Sequence, residues 1–286
     1  MAVFGFDAYS PEEIARRVNE VGAAKTRLPI AATAMLGVLA GAFIAIGSLY
    51  YTLVAADATL GFAATRVLGG LVFSVGLVLV VVAGGELFTG NNLLAMAWAD
   101  GAVSTRELLR NWLIALGANA VGALGIALLV VASGYPQMND GAVGVTAVKI
   151  AAAKATMPFW QAFFAGVLCN VLVCMAVWLT LAGRTVTDKV VAIVFPISAF
   201  VAAGFEHSVA NMYFIPLGIF LRDTIDSAAI AGADRLDWAG YVRNLVPVTL
   251  GNIVGGSGLV ALVYHVVYRR GAARGGHTGE ARKASI

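Results

Sequence analysis

Charge is what this chain has little of. Only 12% of its 286 residues are Asp, Glu, Lys or Arg, against 60% hydrophobic ones, and the mean hydropathy is +0.85. That leaves too little polar surface to cover a soluble globule of this length, so the composition points to a polytopic membrane protein. Cysteine is scarcer still. Cys169 and Cys174 share one apolar segment, which leaves neither a disulfide framework nor a zinc site. The absence of H-E-x-x-H and G-x-S-x-G removes two hydrolase signatures. Histidine occurs three times, at 207, 265 and 277.

What is present is an acidic motif that occurs twice: Gly84-Gly85-Glu86-Leu87-Phe88-Thr89-Gly90-Asn91-Asn92 and Gly204-Phe205-Glu206-His207-Ser208-Val209-Ala210-Asn211-Met212, both reading G-x-E-x-x-x-x-N. Each follows a long apolar run. Glycine, carboxylate and asparagine are thereby placed at membrane depth, where each unsatisfied polar group costs several kcal/mol. A costly insertion made twice suggests a permeation path.

Apolar runs near spanning length lie at 28–54, 63–83, 110–132, 158–181, 189–204 and 244–268. Shorter apolar pieces at 93–99 and 210–221 follow the two motifs and read as second halves of interrupted helices. Six spans put both termini on one side. With the N terminus inside, only Arg66, Lys149, Lys154, Arg222, Arg235 and Arg243 fall outside, leaving thirteen of the 19 Lys and Arg inside, so cytoplasmic termini are expected.

The twofold pattern extends beyond the motifs. Lys25-x3-Pro29-x7-Gly37-Val38-Leu39 matches Lys154-x3-Pro158-x7-Gly166-Val167-Leu168, and Arg110-Asn111-x7-Asn119-x-Val121-Gly122-x2-Gly125 matches Arg243-Asn244-x7-Asn252-x-Val254-Gly255-x2-Gly258. The matches keep chain order, so residues 25–132 and 154–268 read as two copies of one three-span unit. Three spans is an odd number, which makes the repeats inverted. The expected architecture is therefore all-α: six transmembrane helices in two inverted three-helix repeats, with the second and fifth helices broken. Gly37 and Gly41, Ala118 and Gly122, and Gly251 and Gly255 stand at helical spacing and permit close helix approach.

Three segments follow: an N-terminal amphipathic helix in 1–27, a pore domain at 28–268, and a disordered cytoplasmic tail at 269–286. The first 27 residues carry acids and arginines where a cleavable signal needs an apolar core. Ser10, Pro11 and Glu13 form a capping box there, with Ile14, Val18 and Val21 on one face. An interfacial anchor is the favoured role over a gate.

Among the histidines only His207 sits in a broken helix. Surrounded by apolar residues, it is expected to be neutral, able to donate a hydrogen bond and to offer a proton to a weak-acid anion at a bottleneck. Bonding a neighbouring carbonyl is its alternative role. Glu86 and Glu206 fit a structural role, accepting N–H groups freed by the helix breaks, because an ionised carboxylate repels anions. Thr89, Ser208, Asn119 and Asn252 are neutral hydrogen bonders that either replace hydration water or tie helices together. Lys154 and Lys149 either attract anions or snorkel. Phe73, Leu77, Leu87, Phe88, Val173 and Phe200 either narrow the path or pack helices. An intramembrane hydrolase built on Glu206, His207 and Ser208 fails because consecutive residues point in different directions. A neutral-solute pore lacks the paired Asn-Pro-Ala motifs.

The residues from Gly85 to Thr89, from Gly204 to Met212, and Asn244-Leu245-Val246-Pro247-Val248-Thr249-Leu250-Gly251-Asn252 resemble those of the formate/nitrite transporter family over roughly residues 10–270. The resemblance implies an aquaporin-like protomer in a homopentamer of the inner membrane, each protomer with its own pore for small monovalent anions. It makes His207 the central pore residue that assists protonation of the anion, Thr89 its hydrogen-bond partner, Lys154 the vestibule lysine and Asn252 the asparagine near the pore. It places Phe73, Leu77, Leu87, Phe88, Val173 and Phe200 at constrictions. It also links the N-terminal helix to gating. Phe214-Ile215-Pro216-Leu217-Gly218 and Pro247 resemble the formate branch, whereas Gly90 looks more like the nitrite branch and Asn91-Asn92 fits neither. Formate is the expected substrate, with nitrite or hydrosulfide as the alternative. Protons and lipid are the other expected partners. No enzymatic activity, cofactor, metal or nucleic acid is expected.

Overall fold

The computed structural model describes residues 8–225, 227 and 229–269. The proposed tail, with His277, lies almost wholly outside them. Among the described residues every regular element is helical.

Helix α1 (Pro11–Thr26) begins with the anticipated capping box: Glu13 N–H donates to Ser10 Oγ at 3.3 Å, and Ser10 N–H to Glu13 Oε2 at 2.8 Å. Pro29 then starts α2 (Ile30–Ala55). Helix α3 (Phe62–Ala83) is interrupted at Ser74, whose hydroxyl donates to Gly70 O, and ends in a π-helical turn, Leu79–Ala83. The chain stops being helical at Gly84, where φ is +93°, and resumes through a 3-10 turn, Gly90–Leu93, into the short α4 (Leu94–Ala99). Helix α5 (Thr105–Ala132) closes the first half.

The second half has the same order. Helix α6 (Ala142–Ala155) leads to α7 (Phe159–Thr180) and α8 (Val186–Ala203). Gly204, at φ +80°, ends α8, and His207 caps the start of α9 (Ser208–Leu221). Helix α10 (Trp238–Tyr268) is π-helical over Val254–Leu262.

Six of these helices, α2, α3, α5, α7, α8 and α10, are long and apolar enough to cross a bilayer, as the hydrophobic runs imply. They expose large apolar side chains such as Met35, Leu113, Trp160 and Phe195, which suits lipid rather than water. Two spans begin earlier than hydropathy suggests. The Ser104–Glu107 capping box starts α5 at 105 rather than 110, and Asp237, accepting from Gly240 N–H, starts α10 at 238 rather than 244. Both caps draw charged residues that lie outside the apolar runs, Arg106 and Glu107 in one case and Arg243 in the other, into the helices.

Helix α6 is not signalled by span length. It packs along α9 and ends just past Lys154, as α1 packs along α4 and ends just past Lys25, 129 positions earlier. So α1 is more than an interfacial anchor: Ile14 and Val18 are buried, and a Cβ on Gly22 would come within 3.1 Å of Ala97 Cβ. Trp178 is buried and stacked on Tyr264.

The tightest helix pairs are α2 with α5 and α7 with α10. A methyl group on Gly122 would overlap the carbonyl of Val38, and one on Gly255 would overlap that of Val167. Gly41 and Gly251 are likewise held against Asn119 and Phe163 backbone. Close backbone approach is what joins helices where the apolar solvent gives no hydrophobic driving force.

Candidate functional site

Each helix break frees backbone groups that the bilayer cannot solvate, and one asparagine satisfies them in each half. Asn119 Oδ1 accepts from Phe88 N–H at 2.9 Å, and its Nδ2 donates to Gly37 O at 2.8 Å and Glu86 O at 2.9 Å. Asn252 Oδ1 accepts from Ser208 N–H at 3.0 Å, and its Nδ2 donates to Gly166 O at 2.8 Å and Glu206 O at 3.0 Å. These two asparagines tie helices together. With their amide atoms engaged by backbone, neither has a free polar atom to replace an ion's hydration, so the pore-lining role expected of Asn252 gives way to a supporting one.

The carboxylates have another task than the one expected of them. They accept from side chains, not from the freed N–H groups. Glu86 receives Asn91 Nδ2 at 2.7 Å and Asn111 Nδ2 at 3.2 Å, and pairs with Lys25 Nζ at 3.0 Å. Glu206 receives Asn211 Nδ2 at 2.6 Å and pairs with Lys154 Nζ at 2.7 Å, with Asn244 Nδ2 at the long limit of 3.5 Å. Lys154 is thus bound to Glu206 rather than snorkelling, while Lys149 is exposed and apart from the site. Each G-x-E-x-x-x-x-N motif is a carboxylate held by its own asparagine and by a lysine from the helix preceding the repeat's first span.

Two cavities lie on either side of the breaks. The larger, about 370 Å³, is bounded by α1 residues Val18, Val21, Gly22 and Lys25 and by Leu77, Glu86, Leu87 and Lys189. The smaller, about 250 Å³, is bounded by Tyr51, Arg66, Phe73, Lys154, Phe200, Glu206, His207 and Phe214. They share no lining residue, so a closed stretch separates them. Leu77 and Leu87 face it from one side. From the other, Phe73 meets Phe200 edge-on with centroids 5.7 Å apart, and Phe200 stacks on His207 at 5.9 Å. Phe88 and Val173, the other two expected constriction residues, are buried and line neither cavity.

His207 and Thr89 join the halves across this stretch, with Nε2 and Oγ1 2.9 Å apart and both residues buried. Nδ1 of the ring accepts from Ala210 N–H at 3.0 Å. A backbone N–H can only donate, so Nδ1 carries no proton, the imidazole is neutral, and Nε2 bears the hydrogen. Glu206 makes no hydrogen bond to the ring, whose two nitrogens are thus occupied. The arrangement sets one His–Thr pair, in which Nε2–H donates to Thr89 Oγ1 and leaves the hydroxyl hydrogen to donate in turn, in an otherwise apolar barrier between two cation-bearing cavities.

Several residues here go beyond those singled out in the sequence. Asn170 Nδ2 reaches Thr89 O, Asn92 Oδ1 and Asn252 O at 3.2, 2.7 and 2.7 Å, linking the first break to α10. Nothing in its surroundings in the sequence marks it. Lys25 was within reach, because it aligns with Lys154 in the repeat.

The formate/nitrite transporter family matches residues 12–266. The chain is 38% identical over 274 residues to the formate channel FocA of Escherichia coli (strain K12), covering 93% of this chain and 96% of that one. It is 42% identical over 232 residues to the formate channel FocA of Haemophilus influenzae, covering 78% of this chain and 82% of that one. A solved pentameric formate channel with formate bound superposes with a TM-score of 0.77 at 38% identity, covering 84% of this chain and 97% of that chain. With six apolar spans, two helix breaks each tied by an asparagine and matches over nearly its whole length, this multi-pass membrane protein belongs to the formate/nitrite transporter family.

Proposed function

We propose that the protein passes formate and related small monovalent weak-acid anions across the cell inner membrane, with His207 assisting protonation of the anion in the pore. The observation that carries this reading is the His207–Thr89 contact at the apolar barrier between the two cavities. A carboxylate entering that barrier loses its hydration, a cost far larger for the anion than for the neutral acid. Protonation of formate by a vestibule proton therefore lowers the barrier, and the Nε2–H of His207, donated to Thr89 Oγ1 at rest, reaches the incoming oxygen by exchanging that hydroxyl for it. Proton donation from the ring itself requires a proton to arrive at Nδ1, and so the Ala210 contact to open.

The same reading makes the two halves inverted repeats, since each contributes three spans, and puts both termini in the cytoplasm on the excess of basic residues there. The FocA relatives are named formate channels, and the solved neighbour is pentameric. They support the reading of this chain as a homopentamer with one pore per protomer. Labelled formate uptake into liposomes holding the purified protein, at acidic and neutral pH with nitrite and hydrosulfide as competitors, tests the proposal. Uptake that rises with acidity supports it. Uptake of another anion with none of formate overturns the substrate while leaving the pore.

A further inference from the structure

The charged residues lining each cavity do not contribute equally to its field. In the smaller cavity Lys154 and Glu206 form an ion pair at 2.7 Å, and in the larger one Lys25 and Glu86 pair at 3.0 Å. Each pair is neutral as a unit. One further cation lines each cavity, Arg66 in the smaller and Lys189 in the larger, and among the described residues neither has a carboxylate within 4.0 Å.

Arg66 is fixed by neutral groups. Its Nε donates to Ala202 O at 2.8 Å, Nη2 to Val201 O at 3.1 Å, and Nη1 to the Tyr51 hydroxyl at 3.0 Å. The two carbonyls belong to the last turn of α8, the negative end of the helix that stops at the second break. Arg66 thereby covers that end and, with no carboxylate beside it to cancel it, leaves net positive charge facing the cavity. Gly204 leaves room for it, since a Cβ there would stand 2.6 Å from Nη2. Gly84, the corresponding glycine of the first motif, has open space around it.

We propose that Arg66 and Lys189, rather than the paired Lys154 and Lys25, supply the net positive charge that draws small carboxylate-sized anions into the two mouths of the pore. This rests on the anion-transport reading above. Steering by a net charge raises local anion concentration and is screened by salt over about 8–10 Å at physiological strength.

The test is initial formate and nitrite uptake into liposomes holding the full chain, at about 20 mM and about 200 mM ionic strength. Wild-type uptake is expected to fall as salt rises. The double substitution Arg66→Gln with Lys189→Gln is expected to slow low-salt uptake about threefold or more and to flatten the salt dependence. The double substitution Lys154→Gln with Glu206→Gln removes a neutral pair, and is expected to keep the wild-type salt dependence whatever its absolute rate. Arg66→Lys restores the charge without the full fork and should restore the salt dependence. If Arg66→Gln does not fold, Lys189→Glu, at the half-buried start of α8, should weaken or reverse the salt effect at its own mouth. Salt dependence retained without Arg66 and Lys189, or lost without the Lys154–Glu206 pair, overturns the assignment. Following nitrite beside formate separates the two claims, because a wild-type protein that carries nitrite but no formate sinks the formate reading and still reports the salt dependence.

Discussion

His207 and Thr89 stand 118 positions apart in the chain, yet their side chains meet at 2.9 Å, and this contact joins the two broken helices at the barrier. Each residue lies in a helix break of its own half. The bond therefore depends on the two halves being packed together.

Replacing Thr89 by Val keeps the shape and removes the hydroxyl. The buried Nε2–H of His207 is then left without a partner, at a cost of about 1–3 kcal/mol. A lower unfolding temperature in detergent is expected, together with an altered pH dependence of formate uptake. Thr89→Ser, which keeps the oxygen, should recover most of both. Equal effects from Ser and Val would mean that the methyl group, not the hydrogen bond, is what matters.

Removing Lys154 alone strands a buried carboxylate, because Glu206 is almost wholly shielded. Breaking such a pair from one side costs about 3–5 kcal/mol, whereas removing both charges together costs less. Chemical denaturation of Lys154→Met, Glu206→Gln and the double variant should give a strongly coupled cycle. Additive effects of the two single changes would contradict the pairing.

Gly122→Ala and Gly117→Ala make a controlled comparison within α5. The added methyl at 122 overlaps the Val38 carbonyl, while that at 117 meets nothing within 4 Å. Gly122→Ala should cost about 1–3 kcal/mol through forced helix separation. Gly117→Ala should be neutral or slightly stabilising, since alanine is the better helix former. Thermal unfolding of the two proteins decides it.

At the start of α1, the Ser10 backbone N–H and hydroxyl hold the Glu13 carboxyl below its ordinary value. A carboxyl whose value is depressed on folding stabilises above its unfolded value, and that contribution is lost as pH falls through the folded one. Acidification should therefore loosen the first turn of α1, and hydrogen exchange there should quicken. In Ser10→Ala exchange should be faster roughly fivefold at neutral pH and respond less to acid. Identical exchange in the two proteins at neutral pH would show that the cap does not hold the helix end.

Much of this was open to reading along the chain. The six spans were legible because spanning a bilayer demands long apolar runs, and the breaks because Gly84 and Gly204 each stand before a carboxylate that no spanning helix places there without need. The pairing of Asn119 with Asn252 was legible as a repeat, but their role was not. Whether a buried asparagine meets an ion or a backbone carbonyl depends on which helix lies across from it. The starts of α5 and α10 were misplaced because hydropathy averages over a turn, while Ser104 and Asp237 fix helix ends by single hydrogen bonds. Helix α6 was missed for its short length, and with it the tie between Lys154 and Glu206.

The sequence by itself determined a six-span membrane protein of two related halves with a break in each, because apolar length, glycine and charge at membrane depth act locally along the chain. Only the tertiary structure decided which polar groups meet: Lys25 with Glu86, Lys154 with Glu206, Thr89 with His207, and Arg66 with the end of α8. The reason is physical. In a bilayer a buried polar group takes the partner that packing brings within about 3 Å, and which partner that is depends on how closely the glycine-bearing helices approach one another.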